Sequence, residues 1–324
     1  MRRRAFLELI GGADAWPLTT LAQQVGRIYR IGILEAIPAD RNAANLGALR
    51  RGLRDLGYIE GQNLVLEYRS ADGRAERFPD LASELVRLKV DLIVARGTPA
   101  TNAAKNTTPS VPVVMATMGA PGTLVASFAQ PGGNITGVTT FSTELTAKRI
   151  EILKELAPKV SRVGLLHNMG NPAVPPEWEE TKAAARSLGL EAELLDVRNE
   201  ADVGRAFELA VRQHVDGLVV GADGLIQAHQ QTIVHLAARN RLPAVYPSRE
   251  FIEAGGLIAY ALSYPDLYYR FASFVDKILR GEKPGELPVE QPTKFEVVLN
   301  RKVANALGLA IPPTLLIRAD EVIE

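Results

Sequence analysis

At 324 residues the chain is long enough for two domains of ordinary size, and 47% apolar with 23% charged residues suits a protein with a full core rather than a disordered one. Lys plus Arg number 37 and Asp plus Glu number 37, so no net charge draws the chain to nucleic acid or to an anionic membrane. Cysteine is absent, which excludes disulfides, thiolate metal sites, cysteine nucleophiles and a lipid-modified N-terminal cysteine.

Residues 1–26 read as an export signal: Arg2-Arg3-Arg4, then Phe6-Leu7, a mostly apolar stretch, and Thr20-Leu21-Ala22 before Gln23-Gln24. The paired arginines suggest the twin-arginine type. Glu8 and Asp14 interrupt the apolar stretch, so an amphipathic N-terminus on a cytoplasmic protein stays open. No later apolar run approaches the roughly 20 residues that span a bilayer.

From Arg30 onward, short β-branched runs alternate with helical periodicity, the pattern of βαβ units and a parallel sheet. The first series begins with a buried strand from Tyr29 to Leu34. Leu46, Leu49, Leu53 and Leu56 then recur at helical spacing until Gly57. A strand from Leu64 to Arg69 follows, then a helix marked by Leu81, Leu85 and Leu88, and a strand from Val90 to Ala95. Gly97-Thr98-Pro99 opens another helix, with Thr98 expected as N-cap and Pro99 as the first helical residue. Strands from Val111 to Ala116 and from Ile135 to Thr140 complete the set. Between them, Gln130-Pro131-Gly132-Gly133-Asn134 reads as a tight turn rather than a phosphate cradle.

A helix from Leu145 to Leu156 leads to the second series. Its strands are expected at Val163 to His167, Ala192 to Val197, Gly217 to Gly221, Ala244 to Tyr246 and Gly256 to Ala261. Between them lie a helix with Trp178, Thr181, Ala185 and Leu188 on one face, one striped by Val203, Phe207 and Ala210, and one from about Leu225 to Asn240. Matching order without matching sequence implies duplication of a structural unit. The tail departs from this rhythm: a helix from Leu267 to Leu279, a turn at Gly281 to Pro284, an extended stretch from Lys294 to Leu299, and a short helix ending at Gly308. If it runs back across both lobes, it adds connections to the hinge.

Catalytic signatures are missing. There is no Gly-x-Ser-x-Gly elbow, no phosphate loop and no Gly-x-Gly-x-x-Gly fingerprint, and no two of His167, His214, His229 and His235 stand at the i, i+4 spacing that puts two imidazoles on one helix face. Neither an enzyme nor a metal or cofactor site is expected. Polar residues do recur at the carboxyl ends of the expected strands, where open α/β sheets bind ligands: Glu35, Thr98 and Thr117 in the first half, Asn168, Asn171, Asp223 and Ser248 in the second. The helix start Thr98-Pro99-Ala100-Thr101 favours an anion through its amide groups and dipole, although capping alone also accounts for Thr98. Tyr246 and Tyr260 are the aromatic candidates for stacking on a ligand. Together these residues form a candidate cleft.

Five segments, in this order, resemble the tryptophan/tyrosine-type ABC transporter substrate-binding proteins: Asp55 to Asn63, Pro131 to Gly137, Glu253 to Leu257, Leu287 to Phe295 and Arg318 to Glu324. Trp16-Pro17 and Ala22-Gln23-Gln24 extend the likeness to the N-terminus. The resemblance implies a type I periplasmic binding protein: two Rossmann-like lobes joined by a multi-strand hinge, residues 27–140 with 262–287 in one and residues 141–261 with 288–324 in the other. It implies an extracytoplasmic monomer that closes on a small organic solute, an amino acid or an aromatic or carboxylated compound, and delivers it to an ABC permease with a separate ATPase. One departure bears on the solute. Where the family carries Asp-Pro after the fourth strand, this chain has Met118-Gly119-Ala120-Pro121, which removes an acidic partner for a ligand amine and points to a carboxylate without an ammonium. A ligand sensor signalling to a receptor is the alternative, and an enzyme on the same architecture a more distant one.

Overall fold

The computed structural model describes residues 27–118, 124–140, 142–292 and 294–324. The segment read as an export signal lies outside the described residues.

Two sheets organise the chain. The first is five-stranded, wholly parallel, in the order β2-β1-β3-β4-β5, where β1 is Tyr29–Glu35, β2 Leu64–Ser70, β3 Leu92–Arg96, β4 Val113–Met118 and β5 Ile135–Thr140. The second has seven strands: β6 (Arg162–His167), β7 (Glu191–Asp196), β8 (Gly217–Val220), β9 (Ala244–Tyr246), β10 (Ile258–Leu262), β11 (Phe295–Asn300) and β12 (Glu321–Ile323). Its order is β12-β11-β10-β9-β8-β6-β7, with β11 antiparallel to β10. Strands β6 to β10 repeat the order of β1 to β5, which confirms the duplication expected from the alternating pattern.

Each sheet is covered on both faces, as buried parallel strands require. In the first lobe, α1 (Ala43–Asp55) covers one face, and α2 (Phe78–Arg87) and α3 (Thr98–Thr107) cover the other. In the second, α4 (Ser142–Leu156) and α5 (Val174–Ser187) lie on one face. The opposite face carries α6 (Glu200–Arg212), α7 (Gly224–Ala228), α8 (Gln230–Arg239) and α9 (Arg249–Glu253). The late helix α10 (Tyr264–Leu279) returns to the first lobe, where Leu267, Tyr268, Phe271 and Val275 are buried against α1. The two helices approach so closely at Gly52 that a Cβ there would stand 2.7 Å from the Tyr269 carbonyl oxygen. The tail ends with α11 (Arg301–Leu307), stopped by left-handed Gly308, and α12 (Pro313–Arg318).

The chain passes between lobes three times: from β5 to α4, from β10 to α10, and between residues 290 and 295. Before the last passage, Thr139 N donates to the Glu290 carbonyl and Glu290 N to that of Gly137, so residues 287–290 border β5 and the chain reaches the second sheet only at Phe295.

Two local expectations are corrected. The N-cap of α3 is Gly97, at φ 89°, and Thr98 is the first helical residue. A left-handed backbone there excludes a β-branched residue from the cap, which shifts the start by one. The helix expected from Leu225 to Asn240 is two helices that break at His229, and at the break the Ala228 carbonyl accepts a hydrogen bond from Arg41 of the first lobe at 2.7 Å. The short elements α9, α12 and β12 were not expected.

Candidate functional site

The carboxyl edges of the two sheets face one another across a cleft, the place where open α/β sheets bind ligands. On the first lobe its wall starts where β1 ends. Glu35 is 1% exposed, and its carboxylate accepts hydrogen bonds from Ala36 N at 3.2 Å and Asn42 Nδ2 at 3.4 Å. On the adjacent strand, β3 ends on Arg96, whose Nη1 stands 3.9 Å from Glu35 Oε1 and whose guanidinium lies 3.9 Å over the Tyr264 ring, a cation–π geometry. Burial pushes the Glu35 carboxyl up to about 7, although Arg96 pulls it down. Burial works most strongly against the charge of Arg96 as well, but Glu35, Tyr264 and Glu250 together outweigh it and hold the guanidinium above its ordinary range. The first turn of α3, with Gly97, Thr98 and Pro99, and the Phe78 ring complete this wall.

On the second lobe the loop after β6 is tied to the start of α7. Asp223 accepts from Asn168 Nδ2 at 3.0 Å, from Asn171 Nδ2 at 2.8 Å and from Leu225 N at 2.9 Å, so one carboxylate caps a helix and locks a loop. Both asparagines then turn their amide oxygens back on the loop, accepting from Gly170 N and Ala173 N. Beside them, Glu177 projects from the first turn of α5; it is 7% exposed, and its Oε1 accepts from Thr146 Oγ1 at 2.9 Å. Arg149 and His167 lie behind it. Arg149 is 1% exposed, its Nε donates to the Tyr260 carbonyl at 3.0 Å, and burial pushes it down to about 10, still cationic at neutral pH. Burial also lowers His167, which keeps the imidazole neutral.

The walls meet at the rim. A Cβ on Gly224 would stand 2.5 Å from Cβ of Ala36, and one on Gly73 would stand 2.8 Å from Cβ of Ala228, the residue whose carbonyl Arg41 holds.

Of the residues singled out from sequence, Glu35, Thr98, Asn168, Asn171 and Asp223 line this cleft. Ala100 and Thr101 are fully buried beneath the helix start, and Thr101 Oγ1 donates to the Gly97 carbonyl. Ser248 lies one layer back, donating to Oε1 of Gln227, which itself faces the cleft. Thr117 pairs with Thr139 in the sheet, and its side chain lies outside the described residues. The two tyrosines stand away from the cleft wall. Tyr246 is stacked on Phe251 in the second lobe's core with ring centroids 5.1 Å apart, because every residue of three-residue β9 is buried. Tyr260 stacks on Phe295 at 5.7 Å, since alternation along β10 turns its ring to the face shared with β11.

Arg96, Tyr264 and Glu177 were missed, though two carried a signal. Arg96 ends the apolar run Leu92 to Ala95, as Glu35 ends β1, and Glu177 stands at i−4 from Thr181 and i−8 from Ala185 on the buried stripe of α5. The acidic groups Glu177 and Asp223 also bear on the departure after β4, where residues 119–121 lie outside the described residues: the cleft holds carboxylates for a ligand amine without an aspartate there. Among the described residues no cluster of metal-ligating side chains occurs, and no helix is long and apolar enough to cross a membrane.

A family model described as ABC transporter substrate binding protein matches residues 30–323. A tyrosine-binding protein of Clostridioides difficile is 26% identical over 261 residues, covering 80% of this chain and 75% of that protein. Among solved structures, an ABC domain from Streptococcus pneumoniae in complex with L-Trp superposes with a TM-score of 0.83 at 27% identity, covering 91% of this chain and 100% of that one. A conserved domain protein from Vibrio cholerae gives 0.85 at 25% identity with the same coverage.

Proposed function

Because the chain belongs to the ABC transporter substrate-binding protein family, we propose that it captures a small organic solute, an amino acid or an aromatic or carboxylated compound, and delivers it to an ABC permease powered by a separate ATPase. The family is one of solute-binding proteins rather than enzymes, its members are extracytoplasmic, and the two parallel-sheet lobes are those of type I periplasmic binding proteins. Periplasmic location, export by a twin-arginine signal in residues 1–26 and a monomeric state are part of the proposal. So is the division into lobes, residues 27–140 with 262–287 and residues 141–261 with 288–324, save that residues 287–290 run beside β5.

The observation that carries this reading is the cleft itself. It is lined from both lobes, brings charged groups of both signs together with the Phe78 and Tyr264 rings, and has a rim at which the lobes already touch. A solute that contacts both walls stabilises the arrangement in which they meet, so binding shifts the lobes toward closure about the three crossings. L-Tryptophan is the first solute to test, given the neighbour bound to it and the tyrosine-binding relative.

The test is calorimetric titration of the purified chain with L-tryptophan, L-tyrosine and indole-3-acetate, with thermal unfolding and small-angle scattering on the same samples. A true solute stabilises the fold by about 2.7 kcal/mol at about a hundredfold excess over Kd and contracts the particle. Absence of heat, thermal shift and contraction across all three would overturn the solute class proposed here.

A further inference from the structure

Building on the binding-protein reading, we infer that His229 makes closure of the lobes sensitive to protons: a neutral imidazole lets the rim seal, a protonated one opens it, and acidity therefore weakens the hold on solute.

His229 ends α7 and precedes α8, at the break where the Arg41 guanidinium reaches across from the first lobe. Facing it is Gly73, in the loop between β2 and α2. A Cβ built on Gly73 would stand 2.8 Å from Cβ of Ala228, 3.5 Å from Nε2 of the imidazole and 3.6 Å from the Leu225 side chain. Gly73 is buried and left-handed at φ 77°, so the first lobe lays bare backbone against the ring. Part of the cover over the half-buried imidazole thus exists only while the lobes meet.

The charges around the ring decide which form fits there. From the first lobe come Arg41, whose Nη1 donates to the Ala228 carbonyl at 2.7 Å, and the loop residues Asp72, Arg74 and Glu76. Asp72 is already paired with Arg77 at 2.6 Å and feels Arg74 besides, and Glu76 is exposed, where solvent screens it. From the second lobe come Arg198, paired with Asp196 at 2.7 Å, and exposed Glu200. Burial lowers the imidazole most; Glu200 pulls it up and Arg41 pushes it down again. When the rim parts, the Gly73 loop and Arg41 leave with the first lobe, whereas Glu200 stays with the second. The open form therefore takes a proton more readily than the closed form, and by linkage each proton bound favours opening. With an ordinary imidazole value of about 6.5 in the open form, the loss of affinity between pH 7.5 and 5.5 has a ceiling of about tenfold.

The absence of cysteine gives a test that needs no solute. In Ala36→Cys with Gly224→Cys the two Cβ positions, 2.5 Å apart, reach disulfide spacing once the walls part by about 1 Å, so oxidation joins the lobes and reduction frees them. Imidazole titration by NMR, with the His229 signal assigned from its loss in His229→Gln, is expected to give a lower pKa in the oxidised than in the reduced form. The wild type is expected to show the same difference with and without L-tryptophan. By calorimetry the wild-type affinity for L-tryptophan should fall about three- to tenfold from pH 7.5 to 5.5, and that of His229→Gln at least about threefold less. What the variant retains belongs to other groups such as Glu35, which burial also brings into this window. If the two affinities fall in parallel, or the oxidised form titrates at or above the reduced one, the inference falls and the binding-protein reading stands. If L-tryptophan binds at neither pH, the aromatic solute class falls, and the disulfide comparison alone decides the role of His229.

Discussion

Gly224, the first residue of α7, sits where the lobes come closest, and replacing it with alanine gives a clean test of closure. The added Cβ would lie 2.5 Å from Cβ of Ala36, whereas carbon atoms in contact prefer roughly 3.5–4.0 Å. Neither atom is the tip of a flexible side chain, so the walls must part by about 1 Å at that point before the variant fits. The backbone at Gly224 is outside the left-handed region, so alanine strains nothing within the second lobe itself. The cost falls on the state in which the lobes meet. Overpacking of this kind costs about 1–3 kcal/mol, which converts to roughly a five- to 150-fold loss of affinity for L-tryptophan by calorimetry. The urea-unfolding stability of the ligand-free variant should stay within about 0.5 kcal/mol of the wild type, and its ligand-induced contraction in scattering should shrink. The double variant Ala36→Gly with Gly224→Ala removes the opposing Cβ and should restore most of the affinity. Unchanged affinity and contraction in Gly224→Ala, or a double variant as weak as the single, would show that the rim contact plays no part in holding solute.

Two further outcomes follow from the same walls. Arg41 donates across the rim to the Ala228 carbonyl, so Arg41→Ala should speed dissociation of L-tryptophan by about tenfold in stopped-flow fluorescence with little change in association; an unaltered off-rate would remove that bond from the closing contact. Burial raises the Glu35 carboxyl from 4.5 to about 7, so between those values the folded chain keeps a proton that the unfolded chain has released. The stabilisation is therefore full below about pH 4.5 and is lost as pH rises through about 7, a fall of about 3 kcal/mol from this group. Urea unfolding across that window should show a shallower decline for Glu35→Gln than for the wild type, and parallel declines would place the titration elsewhere.

Much of this architecture is legible in the sequence because buried parallel strands are short apolar runs. Ile135–Thr140 and Ala244–Tyr246 were bounded as the structure has them, since turn residues or a change of periodicity flank each. The break at His229 left no such mark. The apolar spacing of Leu225, Ile233 and Val234 continues through it, and the residue that uses the break, Arg41, is far away in sequence. β12 is three residues long and exists by pairing with β11, a tertiary fact with little local signal. At the cleft, the strand-end rule found Glu35, Thr98, Asn168, Asn171 and Asp223, because it depends only on chain direction. It could not place Tyr246 and Tyr260, whose side of the sheet is decided by register and by the neighbouring strands. Arg96 and Glu177 escaped notice because a single charge closing a strand, or interrupting a helical stripe, takes its meaning from what stands opposite.

The return of α10 to the first lobe also governs the order in which the molecule can be completed as it is made. The face of the first sheet that carries Ile31, Ile33, Leu92 and Val94 is sealed only when Leu267, Tyr268, Phe271 and Val275 arrive, after every strand from β6 to β10 has been synthesised. Until then the earlier half waits with that apolar side covered only in part, by α1, a period in which a helper protein or premature self-association would act on it. The two lobes are therefore finished nearly together, near the end of translation, and a nascent chain halted at residue 262 would hold neither in its mature form.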